Sequence, residues 1–449
     1  MTFQQFREHS VIRWLYPGMH IKRWLVLLLL GVCLMGLGIS YVLREAYLTY
    51  TFPGAFYYIT LQFMPRWSRG LLFMSLSLST VVIATWKLNQ SLLYAFIRPE
   101  REGSISQTIY NKRILGRGPK IVAIGGGTGL SMLLRGLKTY TSNLTAIVTV
   151  ADDGGSTGRL RQEFGVIAPG DLRQCIAALA EAEPLMSKLF QYRFTEGTGL
   201  EGHSFGNLFI VAMSEVTGNF EAAIHETSRV LNVRGSILPS TLEDVTLSAR
   251  THGDVMVHGE HNITEHAAAI KDLFLNPASA EAHPDAVRAI LDADIVVIGP
   301  GSLYTSVLPN LLVTGLQKAL FATAATRVFV CNVATQQGET DGFSVLDHLE
   351  ALERHTGKGM VHAVIANNNI AAQLPDEWHS RPVPIARGSA FYAACGVQLV
   401  EADVVAEENR YRHDPEKLAA TILRLYDDRH IFTPPAAAPA TEAAVLLSR

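Results

Sequence analysis

The 449-residue sequence predicts an α/β protein: a mostly parallel sheet with helices on both faces, preceded by a two-helix transmembrane hairpin. Three observations carry this. Short unbroken apolar runs alternate with helical stretches through the last three quarters of the chain, as strands buried on both faces require. Two of those runs lead straight into glycine-rich turns. Two charge-free apolar stretches fall within the first hundred residues.

The first apolar stretch, Leu25 to Leu43, has no charge and is long enough to cross a bilayer core at about 1.5 Å per residue. The second, Gly70 to Trp86, is shorter and richer in hydroxyls, so a core or interfacial helix is the competing reading. A signal peptide fits poorly, because a long charged segment precedes the first stretch and no small-residue cleavage site follows it. Arg7, Arg13, Lys22 and Arg23 lie before the first stretch, and Lys87, Arg98, Arg101, Lys112 and Arg113 after the second. Only Arg44, Arg66 and Arg69 lie between. The positive-inside rule then predicts residues 1–98 as a membrane region, with spans at about 25–43 and 70–86 and both ends cytoplasmic. The expected location is the cytoplasmic membrane, multi-pass, with the globular part in the cytoplasm. Residues 99–118 are polar and basic and read as a linker; residues 433–449 are Ala/Pro-rich and read as a disordered tail.

The globular part is expected over 119–432. Its first strand, ending at Ile124, runs into Gly125-Gly126-Gly127-Thr128-Gly129, and Leu130, Leu133, Leu134 and Leu137 follow at helical spacing. Glycines permit close backbone approach, and a helix N-terminus offers unpaired N–H groups to an anion. The glycine spacing matches neither GxGxxG nor a Walker A loop, so the ligand class stays open between phosphate and sugar nucleotide. Further strands are expected in AIVTVA, DIVVIGP, RVFVCNV and VHAVIAN. Between about Glu196 and Pro277, two alternating runs, TLEDVTLSART and GDVMVHGEHNIT, predict a small antiparallel hairpin.

Ligands of such sheets lie where loops leave the carboxyl ends of the strands. The second strand ends at Asp152-Asp153, carboxylates suited to Mg²⁺, a ribose or proton transfer; capping the turn is the plainer alternative. Adjacent side chains on an extended segment diverge, so only one of the pair is expected to reach a ligand. Arg159 and Arg161 follow and could meet a phosphate. His203 and Asn207 lie on a loop entering a helix, His203 as ligand contact or structural hydrogen-bonder. Gly299-Pro300-Gly301-Ser302 repeats the opening design and predicts a second anion or sugar site, with Tyr304 stacking on a base or sugar, or packed in the core. Cys331 to Thr340 offers amides and hydroxyls to a neutral heterocycle or sugar.

A formal net charge of -3 argues against nucleic acid as a partner. Cys33, Cys175, Cys331 and Cys395 form no metal or redox motif and read as buried thiols; no metal site is expected.

The motifs GGGTGLSMLLRGLK, AIVTVADDGGSTGRLR, GHSFGNL, LNVRGSILPS, IGPGSLYTSVLPNLLV and CNVATQQGETDG, in this order, resemble the YvcK-type gluconeogenesis factors, relatives of the CofD phospholactate transferases. The resemblance covers about 310 residues, from Pro119 to near Phe432. It implies a Rossmann-like, CofD-like fold and a regulator that binds a UDP-sugar, notably UDP-N-acetylglucosamine, supporting cell shape and cell-wall precursor supply under gluconeogenic growth. It implies no established chemistry. By motif match the ligand contacts fall on Gly126, Gly127, Thr128, Gly129, Asp152, Asp153, Asn207, Ser302 and Tyr304; His203 and Gly301 join them as candidates from the loops themselves. Expected partners are the UDP-sugar, an enzyme of cell-wall precursor synthesis, the membrane and further copies of the chain. The alternative is a CofD-like transferase that moves a phospholactyl group from a nucleotide-activated donor, with Mg²⁺ on Asp152 or Asp153. The hydrophobic N-terminus departs from the soluble members.

Overall fold

The structure, a computed structural model, describes residues 21–50, 53–96, 115–182, 184–266, 269–370, 380–407, 409 and 411–432. The chain divides into two compact units, Met1–Arg113 and Ile114–Arg449.

In the first unit, the two apolar stretches lie on long helices, α1 (Ile21–Thr49) and α2 (Arg66–Phe96). Leu34, Leu37 and Val42 of α1, and Leu71, Met74 and Val82 of α2, are exposed. Among the described residues, no helix is long and apolar enough to cross a membrane. The two expected spans, and the multi-pass location built on them, thus find no support in the described helices. Helix α1 carries Arg44 and Glu45 within its last two turns. Helix α2 opens with Arg66 and Arg69, and the hydroxyls of Ser75, Ser79 and Thr80 bond back to Leu72, Ser75 and Leu76 carbonyls. Most of the expected linker 99–118 and the whole tail 433–449 lie outside the described residues.

The second unit begins with β1 (Ile121–Gly125), α3 (Gly127–Leu137), β2 (Leu144–Val148), α4 (Gly155–Phe164) and α5 (Gly170–Leu179). Next come α6 (Phe205–Thr217), α7 (Phe220–Val230), β3 (Ser236–Pro239), β4 (Thr246–Thr251), β5 (Met256–His258), α8 (Glu260–Glu265) and β6 (Ile270–Asn276). The chain closes through α9 (Pro284–Leu291), β7 (Ile295–Ile298), β8 (Thr326–Val330), β9 (Ala363–Asn367), β10 (Gln398–Ala402) and α10 (Pro415–Phe432). The main sheet is seven-stranded, ordered β10-β9-β8-β7-β1-β2-β3, and every pairing in it is parallel. This is the 3-2-1-4-5-6 winding of dinucleotide-binding folds with one strand added.

The apolar runs read from the sequence become β1, β2, β7, β8 and β9. Strands β1, β7 and β9 are buried at every residue, which requires cover on both faces. Leu130, Leu133, Leu134 and Leu137 are all fully buried, so the leucine spacing of α3 is the face it turns to the core. The expected hairpin forms as β4 against β5, and β6 extends it on the other side of β4. Two main-sheet strands, β3 and β10, lacked a long apolar run; they are its two edges. The thiols divide: Cys175 and Cys331 are buried, whereas Cys33 and Cys395 are exposed, which corrects the expectation of four buried cysteines.

Candidate functional site

The winding of the sheet reverses between β1 and β7: β2 and β3 lie on one side of this parallel pair, and β8 to β10 on the other. A crevice outside the carboxyl ends is expected at such a switch point, and both glycine loops follow the two strands that form it. They pack directly together. An ideal Cβ on Gly129 would lie 2.5 Å from the Pro300 carbonyl oxygen, so only glycine permits this approach. Asn310, fully buried, donates from Nδ2 to the Gly125 carbonyl at 3.1 Å and to Ser306 at 2.8 Å.

In the first loop Gly127 takes a φ of +60°, which glycine tolerates best. Gly126 is the extended N-cap of α3 and offers no capping side chain. Thr128 is exposed, its hydroxyl 3.3 Å from Gln174 Oε1. Ser131, a weaker candidate, bonds back to the Thr128 carbonyl. Helices α4 and α5 also begin without a side-chain cap, at Gly154 and Pro169. Three helix N-termini whose N-cap residues supply no side-chain cap are thus concentrated in one short stretch of chain.

The two carboxylates after β2 diverge. Asp153 accepts the Glu260 and His261 amides at 3.1 and 2.9 Å, capping α8 with both oxygens. Asp152 turns toward Gly170: its Oδ1 accepts the Gly154 amide at 3.0 Å, and an ideal Cβ on Gly170 would lie 2.8 Å from Oδ2. Burial raises its pKa above the usual carboxylate range, against the Gly154 and Thr157 hydrogen bonds. Arg161 is committed to the Asp152 and Val245 carbonyls and to Asp244. Arg159 is held by the Glu201 carbonyl at 2.8 Å.

His203 and Asn207 meet at Ser156, in the first turn of α4. Asn207 Nδ2 donates to Ser156 Oγ at 3.2 Å, and His203 Nδ1 lies 3.0 Å from the same oxygen. With Asn207 donating to Ser156 Oγ, the Ser156 hydroxyl in turn donates to His203 Nδ1, which suits a neutral imidazole with its hydrogen on Nε2. Burial, with Arg159 nearby, lowers its pKa. Asn207 Oδ1 accepts Arg173 Nε–H at 2.9 Å. These contacts make a relay fastening α4 to α5 and α6.

The second loop differs from its expectation. A π-helical turn, Leu303–Val307, follows it, and segment 331–340 fills it. Asn332 accepts the Gly301 N–H at 3.2 Å and donates to the Gly301 carbonyl at 2.9 Å. Gln336 donates to Ser302 Oγ at 2.7 Å. The buried Glu339 accepts the Tyr304 amide at 3.3 Å and the Thr305 hydroxyl at 3.1 Å. Burial pushes its carboxyl up to about 7. The amides and hydroxyls expected to read a sugar therefore read the protein's own loop. Tyr304 is fully buried, edge-on to His355, with its hydroxyl 3.4 Å from the Ile270 carbonyl. It offers no face to a ligand, which corrects the stacking role and selects the core alternative.

Sequence reasoning missed two carboxylates, Asp171 and Glu260. Asp171, in the first turn of α5, accepts the Gly127 amide; burial, then Asp152, push its carboxyl up to about 7. Its signal was Gly170-Asp171-Leu172-Arg173, another glycine followed by polar residues at a helix start. Glu260 is pushed up to about 8 by burial and by Asp152, Glu339, Asp153 and Asp171 together. A cavity of about 520 Å³ lies elsewhere, along edge strand β3, against the Glu221–Ser228 face of α7 and Asp285. None of the expected ligand residues lines it.

The family model described as 2-phospho-L-lactate transferase CofD matches residues 121–405. The chain is 43% identical over 435 residues to a putative gluconeogenesis factor of Nostoc sp. (strain PCC 7120), covering 94% of each. It is 44% identical over 317 residues to the gluconeogenesis factor of Bacillus subtilis (strain 168), covering 69% of this chain and 99% of that one. A solved structure from Bacillus halodurans, a member of the upf0052 family, matches with a TM-score of 0.64 at 43% identity, over 68% of this chain and 99% of that one.

Proposed function

The chain belongs to the CofD family, and from that premise we propose that it is a gluconeogenesis factor: a regulator that binds a UDP-sugar, UDP-N-acetylglucosamine foremost, and adjusts an enzyme of cell-wall precursor synthesis. The names of relatives over 40% identical support the first part of this reading. One observation carries the ligand class. At the switch point, the α3 N-terminus opens on a glycine loop that supplies no cap of its own and meets only the Asp171 side chain, while several groups of the protein close the neighbouring loop. That arrangement suits the phosphates of a nucleotide-linked ligand.

A transferase is the second reading, and the family's descriptive name favours it. Its Mg²⁺ would be held by one or two carboxylates together with the donor's phosphates; among the described residues, no three His, Cys, Asp or Glu side chains form a ready-made metal cluster. Asp153, one of the two carboxylates considered for it, caps α8 with both oxygens. No step is therefore derived through the metal.

Calorimetric titration of the full chain with UDP-N-acetylglucosamine, GDP and NAD, with and without Mg²⁺, tests both readings. Saturable binding of the UDP-sugar alone is the expected result. Absence of binding by any UDP-sugar sinks the regulator, and Mg²⁺-dependent product from a nucleotide-activated phospholactate establishes the transferase.

A further inference from the structure

Asp171 lies where a ligand anion would go. Its carboxylate accepts the amide of Gly127, the first residue of α3. An ideal Cβ on Gly126 would fall 2.3 Å from Asp171 Oδ2, and one on Gly127 3.7 Å from Oδ1. The loop's missing side chains are thus what let this carboxylate reach the helix end, the position at which a helix stabilises a negative charge. Among the arginines nearby, only Arg173 acts on it, offsetting part of the effect of burial and Asp152. Arg173 is bonded to Asn207, Arg159 to the Glu201 carbonyl, and Arg161 to Asp244 and two carbonyls. Asp152 stands on the far side of Gly170 and adds like charge.

We propose that Asp171 is a selectivity residue: a built-in anion that occupies the α3 amide end and must be displaced by the phosphates of an incoming ligand. The inference rests on the UDP-sugar reading and goes beyond it, because it says which ligands the crevice rejects. A single phosphate entering at α3 replaces one anion by another and gains little. A diphosphate displaces Asp171 with one phosphate while the other reaches the uncapped start of α4, which follows the adjacent strand β2. Nucleoside diphosphates and their sugar conjugates are therefore retained over monophosphates, although all carry the same base.

The test compares the full-length wild type with Asp171→Asn at pH 8.5, titrated with uridine, UMP, UDP, UDP-N-acetylglucosamine and inorganic pyrophosphate. Asparagine keeps the shape and an acceptor for the Gly127 amide; an unchanged thermal midpoint verifies that the loop is kept. The expected result is roughly tenfold tighter binding of UMP in the variant, a smaller gain for UDP, a narrowed UDP-to-UMP preference and no change for uridine. If the wild type binds UDP-N-acetylglucosamine and the variant binds every phosphate compound equally or more weakly, Asp171 is only a prop for the loop and the proposal fails. If the wild type binds no uridine compound, the UDP-sugar reading fails by itself. Pyrophosphate then decides this inference: tighter binding by the variant supports it, and no gain overturns it.

Discussion

The two glycine loops of the crevice follow adjacent parallel strands and are spelled alike, yet they have opposite fates. The loop after β1 opens an α-helix and meets one side chain at its first amide, that of Asp171. The loop after β7 opens a π-helical turn, and Asn332, Gln336 and Glu339 take up its groups one after another. Glycine spacing makes an anion site geometrically allowed; whether the amides remain available depends on side chains distant in sequence. A motif repeated within one chain is therefore not a site repeated.

The most disruptive way to break the comparison is to separate the loops. Gly129→Ala places a methyl 2.5 Å from the Pro300 oxygen, a backbone atom with little freedom to yield. The expected destabilisation is about 3 kcal/mol by denaturant unfolding, with loss of ligand binding. An unchanged midpoint shows that the two loops are not in contact.

Acidity sharpens the contrast next. The Glu339 carboxyl, which closes the second loop, is held at about 7 in the folded chain, against an ordinary value of 4.5. A carboxyl raised by folding adds stability that is complete below the unfolded pKa and is lost as pH climbs through the folded one. From pH 4.5 to 7 its contribution therefore falls. Thermal midpoints of wild type and Glu339→Gln, followed over this window, should shift progressively in favour of the glutamine variant. A difference that stays constant with pH means the carboxyl titrates normally. Asp171, near 7, titrates in the same sense and remains in both proteins, whereas Glu260, near 8, is itself raised in part by Glu339, so the difference reads Glu339 together with its coupling to Glu260.

The smallest effect is expected at Tyr304. Tyr304→Phe removes only a hydroxyl 3.4 Å from the Ile270 carbonyl, so it should cost less than about 1 kcal/mol and leave UDP-sugar affinity unchanged. Clearly weakened binding would return this residue to the ligand site.

Much of the fold was legible because strands buried on both faces are written as local apolar runs, and α3 as a leucine period. β3 and β10 escaped notice because edge strands need no such run: Gln398 and Glu401 of β10 are exposed. The first glycine loop was legible for the same local reason. Asp152 and Asp153 were found as a pair, but their separate roles were not, since one caps a helix more than a hundred residues later in sequence. The N-terminal helices were legible as helices; the two spans inferred from charge-free length find no support among the described residues.

By itself, then, the sequence determined the elements, the carboxyl-end crevice and a family resemblance that the matches to known proteins establish, because periodicity, glycine spacing and motif order are properties of neighbouring residues. Tertiary structure alone decided which glycine loop segment 331–340 fills, that Tyr304 belongs to the core and that Asp171 lies against the start of α3. Each depends on where a distant side chain finds its hydrogen-bond partner. Burial makes an unpaired polar group too unfavourable to leave unsatisfied, so the packed chain, and not the motif, assigns the partners.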